Sequence, residues 1–168
     1  MQDRFKFRAI VKGFYYVDTP YENEEFEPTI LLENVDVFGE NEIGIYTEEL
    51  ISTIAKQYPD LEEKNKQFIV EFFAENSNSW DTEQYITIRP EKILQSTGLK
   101  DKNGTLIYEG DIVDILTEIE TTATIEWSYD LARFVILFEN IQADFDNYWG
   151  KDLEVIGNIY ENKEFIND

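Results

Sequence analysis

The C-terminal part of the chain repeats one pattern, a short apolar run followed by a polar turn. "DIVDILT" (111–117), "TATIEW" (122–127), "ARFVILF" (132–138) and "LEVIGNIY" (153–160) all carry it. Each run is short and rich in β-branched or aromatic residues, so each reads as a strand. Strands at this spacing build a small barrel or a sandwich. Within 132–138, Phe134, Ile136 and Phe138 fall on one face, and Val135 and Leu137 on the other. Two apolar faces require cover on both sides, from the N-terminal half or from another subunit.

"QSTGLKDKNGTLIYEGDIV" (95–113) leads into these strands. Lys102-Asn103-Gly104 has the strongest short hairpin signal, because Asn and Gly both accept positive φ at little cost. Tyr108-Glu109-Gly110-Asp111 is a second turn, and a short strand lies between the two. The stretch reads as an arch that feeds the barrel. Gly157 sits inside the last strand, where it suggests a bulge or the close approach of another backbone. That strand reaches Tyr160 and is expected to close the barrel.

Upstream, "RFKFRAIV" (4–11) and "GFYYVDTP" (13–20) read as a hairpin that Pro20 ends. "YENEEFEP" (21–28) reads as a loop, "TILLENVDVF" (29–38) as one strand, and "GENEIGIY" (39–46) as a turn and a short strand. "TEELISTIAKQYP" (47–59) is the best helix. Thr47 is its expected N-cap, and Glu48 and Glu49 lie in its first turn. Leu50, Ile51, Ile54 and Tyr58 have helical spacing, and Pro59 stops the helix. "KQFIVEFFAEN" (66–76) is expected to be a strand on its Phe, Ile and Val content, and "SNSWDTEQ" (77–84) a loop. "YITIRPEKILQSTG" (85–98) reads as a strand and then a helix from Pro90 to Gly98, with proline inside the start and glycine past the end. "EIGIYTEELIST" and "YITIRPEKILQS" share I-x-I-x-x-E-x-apolar-apolar 43 residues apart. Two copies fall short of a stacking repeat, so these read as two ordinary strand-to-helix transitions.

The chemistry open to the chain is narrow. The 168 residues contain no cysteine and no histidine. Disulfides, thiolate chemistry, the usual zinc sites and His-based triads are therefore excluded. The start, MQDRFKFRAIVKGF, has no long apolar run, so no signal peptide is expected. No segment approaches the ~20 apolar residues that span a bilayer. The simplest location is a bacterial cytoplasm.

Net charge is −22, unevenly placed. Residues 1–20 carry +2, residues 21–85 carry −14, residues 86–113 are neutral, and residues 114–168 carry −10. Such a surface repels phosphate backbones, because nucleic-acid binding depends on Lys and Arg displacing counterions. It is either a solvated, soluble surface or one that attracts a basic partner.

The candidates for chemistry are few. The glycines at 98, 104 and 110 are not followed by Gly-Lys-Ser/Thr, so they do not form a phosphate loop. Lys100 and Lys102 offer an anion site, but beside Asp101 they read better as a solvated turn. Glu109 with Asp111, and Asp144 with Asp146, are the carboxylate pairs that Mg²⁺ would use. With 36 acidic residues such pairs arise by chance. No catalytic, cofactor or metal residues are assigned.

Three segments carry a resemblance. Lys6-Phe7-Arg8-Ala9, the run from Gln95 to Val113, and "EVIGNIYEN" (Glu154–Asn162) together resemble the YopX family of phage and prophage proteins. The acidic middle, 21–85, and "NKEF" after Glu161 depart from the family pattern. The resemblance implies a mostly β protein with an SH3-like barrel in its C-terminal half, a mobile-element origin and no established activity.

The expected fold is therefore mainly β with minor α. Residues 1–94 form an N-terminal β-rich region with an acidic insertion and one or two short helices, and residues 95–168 form an SH3-like barrel. The expected function is non-enzymatic: an oligomeric structural or protein-interaction module without a cofactor. The alternative is an acidic decoy for a basic host or phage protein, and a nucleic-acid module or metal-dependent hydrolase ranks below both. Homo-oligomers and a basic protein are the expected partners; direct contact with nucleic acid or membrane is not expected. Labelled duplex DNA should show no binding in an anisotropy titration at physiological salt, and tight binding there would overturn the charge argument.

Overall fold

The computed structural model describes residues 6–18, 23–38, 41–116, 121–138, 141–145 and 150–162. Strand takes about half of the described residues and helix about a fifth. The chain divides into two compact units, Phe7–Ile93 and Leu94–Asp168 together with Met1–Lys6.

In the first unit, β1 (Phe7–Lys12) does not pair with the segment that follows it. It pairs antiparallel with β4 (Thr29–Glu33), Ile10 opposite Leu31. Burial of Ala9, Val11, Ile30 and Leu32 in one core selects this partner, and the Gly13 N–H donates to Pro28 O at 2.9 Å, carrying the pairing past the end of β1. The next strand, β2 (Tyr15–Asp18), pairs with β3 (Asn23–Phe26), so the acidic segment expected to be a loop contains a strand. Tyr15 and Phe26 face each other there, with stacked rings at 5.2 Å. Residues 29–38 are two strands rather than one. Asn34, at φ 54°, breaks them into β4 and β5 (Asp36–Phe38). A three-stranded sheet follows, in the order β5, β6 (Glu42–Tyr46) and β7 (Tyr85–Ile88).

Two helices cover these sheets. Helix α1 (Thr47–Gln57) buries Leu50 and Ile54, one helical turn apart, while Ile51 is 45% exposed. Thr47 is not its cap. Tyr46 holds the N-cap position, and the Thr47 hydroxyl donates instead to Thr82 O at 2.9 Å, inside the unit. Helix α2 (Glu63–Glu75) lies where a strand was expected. Ile69, Val70 and Phe73 are buried on one side of it. That spacing suits a helix, and packing decides against the β preference of Phe, Ile and Val, which depends on context. The core of the unit joins both helices to the strands through Val11, Ile30, Leu32, Ile43, Ile45 and Ile86 among others.

Among the described residues, strand β4 has a strand neighbour on one side only. The end of α1 closes its other side. The Gln57 side-chain amide accepts from Leu31 N at 3.1 Å and donates to Leu31 O at 2.7 Å, as a neighbouring strand would. The Tyr58 hydroxyl donates to Thr29 O, two residues along the same edge. An edge satisfied in this way offers no template to another chain.

The boundary falls inside β8 (Lys92–Lys100), whose residues from Leu94 on belong to the second unit, and β9 (Leu106–Tyr108) follows. The helix expected from Pro90 is absent, and its residues form β8. Gly98 has φ 80° but sits at a pairing irregularity between Ser96 and Lys100, not beyond a helix end. The proposed strand-to-helix echo is therefore strand-to-helix once and strand-to-strand once. Next comes a five-stranded antiparallel sheet that curls into a half-barrel. Its order is β13 (Ile141–Asp144), β12 (Arg133–Phe138), β11 (Thr121–Ser128), β10 (Asp111–Ile115) and β14 (Leu153–Asn158). Its core is Ile107, Val113, Ile115, Ala123, Ile125, Ile136 and Leu153, with Phe134 and Phe138 packed on it.

Strand β14 is bulged, as Gly157 suggested: Ile112 faces Gly157 while Val113 faces Val155, which leaves Ile156 unpaired. It ends at Asn158, short of Tyr160. It and β13 are the outer strands of the sheet, and no pairing between them closes a barrel among the described residues. On β12, Val135 is 2% exposed and Leu137 half-buried, so the second apolar face is already covered within a single chain.

Gln57→Leu should lower stability by about 1–3 kcal/mol, because it strands the N–H and C=O of Leu31 in a half-buried place. Gln67→Ala, on the exposed side of α2, should cost under about 0.5 kcal/mol. Urea denaturation of the two variants checks the difference.

Candidate interaction surface

Residues 101–111 and 153–162 turn Asp101, Asp111 and Asn158 inward, and the backbone uses them. Asp101 is 5% exposed. Its Oδ1 accepts from Asn103 N at 2.9 Å and Thr105 N at 2.8 Å, and its Oδ2 accepts from Val155 N at 3.0 Å. One carboxylate thus shapes the turn and ties it to β14. Gly104 has φ 83°, which a β-branched residue resists. Asn103 is not at positive φ, so the two-residue Asn-Gly geometry expected from sequence is replaced by a turn built on Asp101.

Lys102 and Asn103 both reach Glu154. The Lys102 ammonium lies 2.7 Å from one carboxylate oxygen, and the Asn103 amide donates to the other at 3.1 Å. The Lys102 bond, then the Asn103 bond, holds the Glu154 carboxyl below its usual range. Asp111 is 1% exposed and its Oδ2 accepts from Tyr108 N at 2.8 Å. Asn158, 4% exposed, accepts from Tyr160 N and Glu161 N through Oδ1.

The sequence candidates are therefore placed as follows. Lys102 is engaged in an ion pair, and Asp111 braces a turn from a buried position apart from half-buried Glu109. Asp144 pairs with Arg133, and Asp146 lies outside the described residues. No cluster of three or more acidic side chains placed to hold a metal occurs among the described residues. A small cleft between α1 and α2, lined by Ile51, Ile54, Lys66 and Val70 among others, has a volume of about 20 Å³, the room of a single water. No helix among the described residues is long and apolar enough to cross a membrane.

Most of the described acidic residues of the first unit face outward. Glu24, Glu25 and Glu27 are exposed on and beside β3, Glu48 and Glu49 on α1, and Glu71 and Glu75 on α2. Arg8–Glu33, Lys64–Glu62 and Lys66–Glu63 are ion pairs there, at 2.8, 3.0 and 3.8 Å.

Sequence reading missed one further grouping, on the sheet of β5, β6 and β7. Alternation sends Val37, Ile43, Ile45, Ile86 and Ile88 to the core, and Asp36, Phe38, Glu42, Gly44, Tyr46, Tyr85 and Thr87 to the other face. Tyr85 lies across Gly44, where any Cβ would collide with its ring. The Tyr85 hydroxyl donates to Asp36 Oδ2 at 2.7 Å. Tyr46 meets Tyr85 edge-on, with ring centroids 5.2 Å apart, and is itself 60% exposed. Burial first, then the hydrogen bond and charge of Asp36, push the Tyr85 hydroxyl well above its ordinary pKa. It stays protonated and keeps donating at any physiological pH. Asn78 donates to Glu42 at 2.8 Å and fixes the bordering loop, on which Trp80 is 97% exposed. The local signal was the alternation in "EIGIY" and "YITI"; nothing local linked Asp36 to Tyr85, 49 residues away.

Two β-rich units, with the most distinctive sequence runs committed to turn bracing, define a mainly β class of protein. The chain belongs to the YopX protein family, whose model matches residues 34–167. The match runs through most of the acidic middle that seemed to depart from the pattern, and it starts after Lys6-Phe7-Arg8-Ala9. Among solved structures, the crystal structure of protein EF1440 from Enterococcus faecalis is similar at 21% identity, over 96% of this chain and 97% of that one, with a TM-score of 0.39. No curated protein matches the chain.

Asp101→Ala should cost about 2 kcal/mol or more, since three backbone N–H groups lose their acceptor. Gly104→Val should cost about 1–3 kcal/mol through its positive φ alone. Equilibrium unfolding measures both, and an unchanged midpoint for either would remove that residue from the turn.

Proposed function

We propose that this protein is a non-enzymatic interaction module of a phage or prophage, acting in the host cytoplasm, whose Phe7–Ile93 unit binds a basic protein. In this reading the Leu94–Asp168 unit is an SH3-like barrel that serves as a stable platform. The observation that supports it best is the outward-facing carboxylate surface of β3, α1 and α2, where acidic side chains greatly outnumber cations. Such a surface raises the local concentration of a cationic partner and speeds encounter.

Self-association is a second reading, favoured by Ile141 on the outer strand β13, 54% exposed, and by Leu131 on the β11–β12 turn, 47% exposed. The burial of Val135 removes the strongest sequence argument for it.

Affinity capture from host lysate, followed by mass spectrometry, should recover a basic protein. Its association rate should fall steeply as salt shortens the Debye length from ~10 Å at 0.1 M to ~3 Å at 1 M. Glu24→Gln, Glu25→Gln and Glu27→Gln combined should slow it. A partner whose association ignores salt would count against the acidic surface.

A further inference from the structure

We propose that the outward face of β5, β6 and β7 receives an arginine side chain of the partner protein, laid over the row formed by Tyr46, Tyr85 and the Asp36 carboxylate. The inference rests on the reading above and gives it a place.

The three strands contain no lysine or arginine, while Asp36 and Glu42 share the outward face with Phe38, Tyr46 and Tyr85. Aromatic faces attract cations, most strongly when a carboxylate stands close by. Among acidic patches on this chain, this one is also preorganised. Tyr85 is seated on Gly44, bonded to Asp36 on one side and packed against Tyr46 on the other. Those three side chains form a continuous row: ring, ring, carboxylate. The Tyr85 hydroxyl takes only Oδ2 of Asp36, and Oδ1 of this exposed carboxylate has no hydrogen bond among the described residues.

Arginine suits the row better than lysine does. Its planar guanidinium stacks on an aromatic ring and still directs N–H groups at a carboxylate in the same plane, whereas an ammonium is a compact, strongly hydrated point charge. The α1 N-terminus beside Tyr46 carries partial positive charge, which would oppose a cation. Glu48 and Glu49 in its first turn offset that charge.

The test uses the full chain with hexa-arginine and hexa-lysine peptides, by calorimetry at low salt. Tyr46→Ala should weaken hexa-arginine about two- to fivefold and hexa-lysine less. Tyr46→Leu, which keeps bulk at the helix start, should do the same. Asp36→Asn should weaken both peptides. Backbone amide shifts on hexa-arginine binding should cluster at Asp36, Gly44, Tyr46 and Tyr85. If these variants bind as the wild type does while Glu71→Gln with Glu75→Gln weakens binding, the arginine site is wrong and the acidic-surface reading survives. Equal loss for both peptides at Tyr46 would overturn the choice of arginine. Failure of both peptides to bind, with no basic protein captured from lysate, would sink both readings.

Discussion

The C-terminal unit depends on one buried carboxylate. Asp101 accepts three backbone N–H bonds, two from its own turn and one from β14. The chain between them is more than fifty residues long, so the contact fixes a distant strand against a local corner. Three further contacts reinforce it: Lys102 N donates to Leu153 O at 3.0 Å, and Lys102 and Asn103 each reach Glu154. A hydrogen bond to a charged acceptor is worth roughly 1.5–3 kcal/mol net, about twice a neutral one, so this junction outweighs any single pair in the ladder.

The same device recurs at three other places. Asp111 caps the 108–111 turn, Asn158 caps the last turn, and Gln57 stands in for a missing strand beside Leu31. Each is a short polar side chain shaped like a peptide group, placed where backbone groups would otherwise be stranded. The aliphatic residues supply most of the burial, and these few polar groups set its geometry. Conspicuous runs such as 95–113 are thus explained by turn-making before any ligand is invoked.

Legibility in the sequence followed the range of the interactions. Four strands of the half-barrel were readable because each is a short apolar run between polar turns, while β13 was missed because its Ile-Gln-Ala-Asp carries no such run; the Gly157 bulge was readable because glycine in a strand has few other uses. Helix α2 was misread because its aromatics suit a strand in isolation, although Ile69, Val70 and Phe73 already had helical spacing. Strand β8 was misread because Pro90 and Gly98 imitate helix punctuation; Gly98 answers a local irregularity instead. Strand β1 was paired with the wrong segment because its partner, β4, is chosen by burial across the first unit and not by the nearest turn. The row of Asp36, Tyr85 and Tyr46 was invisible for the same reason, since it joins segments that only the folded sheet brings together.

The bracing of the 101–105 turn bears on how the protein ages. Asn-Gly is the dipeptide most prone to lose its side-chain amide, by attack of the glycine nitrogen on the asparagine carboxamide. Here the Gly104 N–H is held by Asp101 O at 3.0 Å, and the Asn103 carboxamide is held by Glu154. Both reacting groups are engaged, so the ring closure needs the turn to open first. Loss of ammonia at Asn103 then becomes a slow clock that counts the openings of this corner. The isoaspartate it leaves behind would lengthen the backbone by one carbon at the point where the unit is fastened.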